Sequence, residues 1–145
     1  MKKITYTALT AAVVLLTACS SVSHHRDTTV LPEGPRSEVE ANFDSKPVSV
    51  MVESKTFGDD EYEVALNDGT RIEYKGDQWT EVEAGRGKAV PDSYIPAAIL
   101  EYTTSNYPGI LITKIERTKE GFDVELANGL EIKFDPNGAF LSYDD

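Results

Sequence analysis

Residues 62–74, YEVALNDGTRIEY, and residues 122–134, FDVELANGLEIKF, are two versions of one pattern. Four of the thirteen positions are identical: apolar residues at 64/124, 66/126 and 72/132, and glycine at 69/129. Apolar and polar residues alternate along each block, which is typical of a strand with one buried face. Asp68-Gly69 and Asn128-Gly129 predict a type I′ hairpin turn between two such strands. The pattern therefore predicts a duplicated hairpin, and its identical positions carry no reactive group.

The repeat extends in front of each hairpin, where two prolines have counterparts 61 positions later: Pro35 and Pro96, and Pro47 and Pro108. Residues 96–107 place apolar side chains on one face at helical spacing, which predicts a helix capped by Asp92 or Ser93. Residues 36–43 form a shorter and less apolar counterpart. Each hairpin is therefore expected to follow a helix.

The remaining strands are predicted by β-branched and apolar stretches at residues 48–55 and 110–117, and by short strands that begin at Trp79 and Phe140. Each unit then has one helix and up to four strands. The predicted fold class is α+β: a tandem repeat, about 35–82 and 90–145, that forms an antiparallel sheet of about eight strands packed with two helices.

The first eighteen residues have the features of a signal peptide rather than of a folded segment. Lys2 and Lys3 precede a short apolar run, which is shorter than the about 20 residues of a membrane-spanning helix. The sequence Leu16-Thr17-Ala18-Cys19 resembles a bacterial lipoprotein signal, which implies cleavage before Cys19 and lipidation of its thiol. An ordinary signal peptide is the alternative. By the same resemblance, Ser20 favours an outer-membrane lipoprotein of the cell envelope, facing either the periplasm or the cell surface.

Residues 19–34 are rich in Ser, Thr, His and charge, which predicts a flexible tether between the anchor and a domain at 35–145. His24 and His25 lie in this stretch without a Cys, a third His or an ordered carboxylate, so no metal site is expected there. Cys19 is the single cysteine, so the fold is expected to contain no disulfide.

The charge and the distribution of reactive residues limit the possible functions. The net charge is −11, and loss of Lys2 and Lys3 with the leader would make it more negative. This charge argues against nucleic acid as a partner. It also leaves the lipid anchor as the expected contact with the membrane. The carboxylates alternate onto the solvated faces of strands, and no Ser/His/Asp or Cys/His set remains. Acidic turns at 59–61 and 135–138 lack the spacing of an EF-hand loop. We therefore expect a protein that is not an enzyme and has no cofactor or metal.

Large aromatic residues are the remaining candidates for an interface. Tyr102 lies on the predicted apolar stripe, and Trp79 aligns with Phe140 in the repeat, so a core position is favoured for both. Trp79 and Tyr94 are nevertheless retained as candidates for an exposed binding patch.

Several motifs resemble the PepSY-like family of bacterial exported proteins. They are Val90-Pro91, Ile95-Pro96-x-x-Ile99, Tyr102, Tyr107-Pro108-Gly109, Ile115-Glu116, the block from Gly121 to Asp135, and Asn137-Gly138. The resemblance implies a fold similar to that of β-lactamase inhibitory protein, which is a tandem repeat that binds an enzyme through its concave sheet surface. It supplies no catalytic residues, and it implies inhibition or regulation of an exported protein or binding of an envelope ligand. The first helix lacks the aromatic run of the family.

The favoured hypothesis is a lipid-anchored, non-enzymatic binding module that recognises an unknown envelope protein through its sheet face. Two alternatives remain. The first is a small-ligand or peptide binding protein of the envelope, and the second is a structural subunit of a surface complex.

Overall fold

The computed structural model describes residues 20–144. The described elements are nine strands and two α-helices: β1 (Ser20–His25), α1 (Glu33–Asn42), β2 (Pro47–Lys55), β3 (Glu61–Leu66), β4 (Arg71–Lys75), β5 (Gln78–Glu83), α2 (Ala97–Asn106), β6 (Ile112–Arg117), β7 (Phe122–Leu126), β8 (Glu131–Phe134) and β9 (Phe140–Tyr143). Short 3₁₀ turns at Thr28–Val30 and Asp92–Tyr94 precede the two helices. Within this part of the chain no helix is both long and apolar enough to cross a membrane.

The strands form one antiparallel sheet in which each strand pairs with its neighbours in sequence, in the order β1 to β9. α1 lies in the connection from β1 to β2, and α2 in the connection from β5 to β6. Both helices contribute buried residues to the core, Val39 from α1 and Ile99 from α2. The α+β class, the antiparallel sheet and the two helices are therefore confirmed, with nine strands instead of about eight.

The core is organised by an apolar row that runs in register across seven strands. The row consists of Val50, Val64, Ile72, Val82, Ile115, Val124 and Ile132, each the direct cross-strand partner of the next. All seven side chains are at most 1% exposed. β-branched side chains suit the pleated sheet surface, and paired residues on one face pack directly against each other. This row fixes the register, because a shift of one residue would turn every side chain to the opposite face.

The two hairpins of the repeat have the same register. Tyr62 pairs with Tyr74 in the first, and Phe122 pairs with Phe134 in the second. The equal register agrees with the sequence pattern, whereas a tandem duplication of the whole unit stays a prediction.

The predicted flexible tether is wrong for residues 20–34. Residues 20–25 form β1, which pairs with β2 along its whole length, and Leu31 is only 2% exposed. The polar side chains of an edge strand such as β1 are exposed to water on both faces, so its composition resembles that of a linker. Its backbone nevertheless forms hydrogen bonds with the backbone groups of β2. Cys19 and the predicted leader lie outside the described residues.

The predicted type I′ turns are also wrong. Among the described residues only glycines have positive φ, with Gly69 at 90° and Gly129 at 82°. The N–H of Gly69 donates to the carbonyl of Leu66 at 3.1 Å, and the N–H of Leu66 donates to the carbonyl of Thr70 at 2.9 Å. This is a three-residue loop with glycine in the left-handed position. Asp68 stabilises it by accepting a hydrogen bond from the N–H of Thr70 at 3.0 Å.

The predicted side-chain cap of the second helix is wrong as well. Asp92 and Ser93 belong to the preceding 3₁₀ turn, and the N-cap position of α2 is Pro96, which makes no side-chain capping bond. α1 has the same arrangement with Pro32 at its N-cap, and it begins at Glu33, three residues earlier than predicted. Proline at the start of a helix fixes φ and removes an N–H that would lack a partner.

Candidate functional site

The face of the sheet that is opposite the helices carries a row of carboxylates. Glu63, Glu73, Glu81, Glu116 and Asp123 are direct cross-strand partners on five adjacent strands, β3 to β7. We call this set the acidic row and the surface the open face. The acidic row lies one residue away from the apolar row on each strand, so it results from the same register. Like charges directly opposite each other destabilise a sheet.

Only part of this charge is neutralised within residues 20–144. Lys114 forms an ion pair with Glu81 at 3.0 Å, and Arg71 reaches Glu63 at 4.0 Å. Lys133 is opposite Asp123 in register, but its ammonium group pairs with Asp144 at 3.1 Å. In this part of the chain, Glu73, Glu116 and Asp123 form no ion pair, so the acidic row retains an excess of negative charge.

The charges of the row change the ionisation of its members. Partial burial, followed by repulsion from Glu81 and Glu63, raises the pKa of Glu73 above its ordinary value. The pKa of Lys114 is raised as well: burial opposes the shift, but the hydrogen bond to Glu81 and the charges of Glu81, Glu116 and Glu83 together outweigh it. The open face therefore favours binding of positive charge.

Two grooves lie on the open face. One of about 340 Å³ crosses β2 to β5 and is lined by residues that include Met51, Glu53, Glu61, Glu63, Glu73 and Lys75. The other, of about 250 Å³, crosses β6 to β8 and is lined by residues that include Lys114, Glu116, Asp123, Glu125, Glu131 and Asp144. Each half of the sheet thus contributes one charged depression to this surface.

The two predicted binding residues do not form an exposed patch. Trp79 is 7% exposed and Tyr94 is 2% exposed, and their rings meet edge to face at 5.6 Å between centroids. A β-bulge in β5, where the register against β4 shifts so that Glu81 pairs with Glu73 but Trp79 pairs with Tyr74, turns Trp79 toward the helices. The 3₁₀ turn before α2 brings Tyr94 onto it. The prediction of an exposed patch at Trp79 or Tyr94 is therefore corrected, since both side chains are part of the core.

Tyr102 and Tyr107 lie together at α2, next to the edge strand β9. The hydroxyl of Tyr143 on β9 is 2.8 Å from that of Tyr107 and 3.5 Å from that of Tyr102. The ring of Phe140 stacks on that of Tyr102 at 5.3 Å. The hydrogen bond to Tyr143, followed by burial, raises the pKa of Tyr102 to about 12. The cluster joins the last strand to α2.

The acidic turns and His25 have structural partners. The carboxylate of Asp60 accepts a hydrogen bond from the N–H of Lys55 at 3.0 Å. Asp135 accepts bonds from the N–H groups of Asn137 and Ala139 at 2.8 Å each. His25 hydrogen-bonds to Ser23 on β1. In residues 20–144, no three His, Cys, Asp or Glu side chains come together as a metal-binding group.

Two features of functional interest were missed in the sequence. The acidic row depends on the register of five strands, which alternation within single strands does not specify. The other is Arg117, whose guanidinium lies 3.9 Å from the ring centroid of Trp79. A signal existed for Arg117, because it follows Ile115 at a strand spacing of two and therefore faces the core side.

Comparisons with known proteins agree with this architecture. Residues 60–142 match the model of a family described as "Putative beta-lactamase-inhibitor-like, PepSY-like". A "putative periplasmic protein of unknown function" from Bacteroides vulgatus is 35% identical, with a TM-score of 0.79 over 86% of this chain and 100% of its own. A "putative calcium-regulated periplasmic protein" from Bacteroides thetaiotaomicron is 35% identical, with a TM-score of 0.73 over 81% of this chain and 92% of its own.

A third solved structure is a "putative periplasmic protein from DUF2874 family" from Bacteroides vulgatus. It is 32% identical, with a TM-score of 0.76 over 86% of this chain and 97% of its own. No curated protein matches the chain. The family match covers more than half of the sequence and includes both hairpins, the acidic row and α2, so the chain belongs to the PepSY-like family.

Proposed function

We propose that this protein is a lipid-anchored binding module of the cell envelope that recognises or regulates an exported protein through the open face of its sheet. The observation that carries the proposal is the acidic row, which presents five carboxylates in register across β3 to β7. The helices pack on the opposite face, so the row and its two grooves are accessible to a large partner.

The energetics of the row favour a basic partner. Carboxylates aligned on neighbouring strands repel each other, which costs folding stability. A partner with positive side chains would relieve this repulsion and would also be attracted over a distance at low salt. We therefore expect the partner to present a basic surface that spans the centre of the sheet.

The other parts of the proposal extend what the family and its fold support. The module is proposed to be non-enzymatic, in agreement with relatives described as periplasmic proteins of unknown function. Attachment through Cys19, an outer-membrane location and origin by tandem duplication are proposed from the sequence patterns described above. The membrane contact would be the lipid alone.

A small ligand or a peptide is a second candidate, supported by the groove of about 340 Å³ over β2 to β5. This volume is within the range of about 300–1,000 Å³ that is usual for ligand sites. Its lining of Glu and Lys side chains suits a cationic compound or a basic peptide. A thermal shift with a short basic peptide that is lost in Glu73→Gln, together with no envelope protein recovered by crosslinking, would favour this candidate over a protein partner.

Crosslinking in intact cells tests the main proposal. The full chain with a C-terminal affinity tag is crosslinked, solubilised and purified, and the attached proteins are identified. Glu73→Gln with Glu116→Gln changes the open face, whereas Glu40→Gln with Glu101→Gln removes the same charge from exposed positions on the helices. The proposal expects that an envelope protein is crosslinked to the wild type and to the Glu40/Glu101 pair, and that it is lost with the Glu73/Glu116 pair.

Equal recovery from both pairs would contradict binding through the open face. The experiment is performed with calcium and with a chelator, because one similar structure is described as calcium-regulated.

A further inference from the structure

Arg117 differs from the other basic side chains of the structure in its surroundings. Its guanidinium carbon lies 3.9 Å from the ring centroid of Trp79 and 5.4 Å from that of Phe122. Both rings belong to the core side of the sheet, where Trp79 is 7% exposed. The cation is thus fixed against two aromatic rings at the end of β6, an arrangement that suits the planar and delocalised guanidinium.

Arg117 has no anionic partner within residues 20–144. Its Nε is buried without a hydrogen-bond acceptor, and its side chain forms no ion pair. Glu38 of α1 acts on it only through its more distant charge. Partial burial lowers the pKa of Arg117 from its ordinary value, which is the expected cost of removing a cation from water without pairing it.

A cavity opens next to this side chain. It has a volume of about 290 Å³ and is lined by Gln78, Arg117, Thr118, Gly121, Phe122 and Pro136. The residues come from the start of β5, the β6–β7 turn and the β8–β9 turn, so three segments converge around it. The amide of Gln78 and the hydroxyl of Thr118 add neutral polar groups, and no Asp or Glu side chain lines the cavity.

We propose that this cavity is a carboxylate-binding site in which the Arg117 guanidinium is the anchoring group. A planar carboxylate matches the fork of the guanidinium, and Arg is the usual residue for such recognition. The stack on Trp79 holds the fork in place, so little side-chain entropy is lost on binding. Gln78 and Thr118 line the same cavity and carry groups that can donate hydrogen bonds to a carboxylate.

The site is separate from the open face and does not depend on the function proposed for it. Arg117 and Ile115 project from the same side of β6, whereas Glu116, between them, belongs to the acidic row. The ligand charge also differs in sign, since the open face favours cations. The ligand class is a peptide carboxylate, supplied either by a chain terminus or by a Glu side chain.

The fluorescence of Trp79 can be used to detect binding next to Arg117, because Trp79 is the only tryptophan of the chain. The full chain in detergent micelles is titrated with three probes while Trp79 fluorescence is recorded. The probes are N-acetyl-trialanine with a free carboxylate, the same peptide as its amide, and N-acetyl-Ala-Glu-Ala amide. The proposal expects a saturable change at millimolar concentration with one or both carboxylate peptides, and none with the trialanine amide.

Variants test whether the fluorescence change depends on the Arg117 side chain. Arg117→Met should weaken the interaction by about tenfold or more, and Arg117→Lys, which keeps the charge but loses the planar fork, should also weaken it. Arg71→Met is the matched control, because it removes an exposed cation from the open face. Gln78→Ala supplies a variant that leaves the aromatic stack intact, and it should weaken the interaction less than Arg117→Met does.

Calorimetric titration provides a readout that does not depend on the altered environment of Trp79. Three results would overturn the proposal: no saturable response to either carboxylate peptide, an equal response to the trialanine amide, or equal affinities in Arg117→Met and Arg71→Met. If Arg117→Met does not fold, the Arg117→Lys and Gln78→Ala titrations decide the question.

Discussion

The buried hydroxyl of Thr70 accepts a hydrogen bond from the backbone N–H of Gly85 at 3.0 Å, which ties the end of the β3–β4 loop to the chain that leaves β5. Thr70 is 1% exposed, so water cannot replace it as the acceptor. A buried donor without an acceptor loses its hydration without compensation.

Thr70→Val is expected to lower the free energy of unfolding by about 1–3 kcal/mol, because it leaves the Gly85 N–H unpaired. Thr70→Ser keeps the hydroxyl and removes only a methyl group, so it should cost less. Urea denaturation of both variants measures the difference. Equal losses would show that packing of the methyl group, and not the hydrogen bond, is the main contribution of Thr70.

Gly121 lies where the β6–β7 turn approaches the backbone at the end of β8. A Cβ at this position would lie 2.1 Å from the carbonyl oxygen of Phe134 and 2.4 Å from the carbonyl carbon of Asp135. Gly109→Ala is the control, since Gly109 also has positive φ but a Cβ added there would meet no neighbouring atom within 4 Å.

Gly109→Ala should cost about 1–2 kcal/mol from the left-handed backbone alone. Gly121→Ala should cost more than about 3 kcal/mol, because the β6–β7 turn must also move away from the end of β8. Thermal and urea unfolding of the pair provide the measurement, and similar losses would contradict a steric requirement at Gly121.

The raised pKa of Glu73 predicts how stability depends on pH. A carboxyl whose folded-state pKa is raised binds its proton more tightly in the folded state, so stability falls as pH rises from the unfolded pKa through the folded one. Glu73→Gln is therefore expected to raise the melting temperature at neutral pH. The gain should disappear below about pH 4, where the wild-type carboxyl is protonated in both states.

Glu83→Gln is the matched control for this experiment. Glu83 lies on the open face between Arg71 and Lys114 in register, so its loss removes a carboxylate with basic neighbours. It should not raise the melting temperature. A gain of the same size from both variants would show that net charge, and not the acidic row, determines the effect.

The tyrosine cluster predicts an alkaline titration. The pKa of Tyr102 is raised to about 12, mainly through the hydrogen bond with Tyr143. Tyr143→Phe should therefore lower the pKa of Tyr102 toward the ordinary value of about 10, measured from the ultraviolet absorbance of tyrosinate. The raised pKa of Tyr102 contributes stability that is lost as pH rises from about 10 to 12, whereas the lowered pKa of Tyr143 acts in the opposite sense, so the absorbance titration is the measurement that tests the coupling. Tyr143 is itself a titrating phenol, so its absorbance change is lost in the variant; a titration curve that is otherwise unchanged would contradict the coupling.

The sequence predicted the parts of the fold that depend on local chemistry. Alternation identified Val64 and Val124 as buried, and the glycines at 69 and 129 as the turn positions. The turn type was wrong because the side chains of Asp68 and Asn128 hydrogen-bond two residues ahead, to Thr70 and Leu130, which stabilises a longer loop.

The parts that were missed depend on pairing between distant segments. The polar composition of β1 predicts a linker, because the sequence does not show that this segment pairs with β2. Trp79 was proposed as an exposed contact because its partner Tyr94 is fifteen residues away. Arg117 became informative only when the structure placed it over Trp79.

The order of the sheet has a consequence for how the chain reaches its structure. Since every strand pairs with the next one along the sequence, most pairings close short loops, and only the two helix-containing connections are longer. Pairings between near neighbours require little loop-closure entropy and give fast folding for a β protein. The sheet can therefore assemble by successive addition of neighbouring strands, without first bringing together segments that are far apart in the sequence.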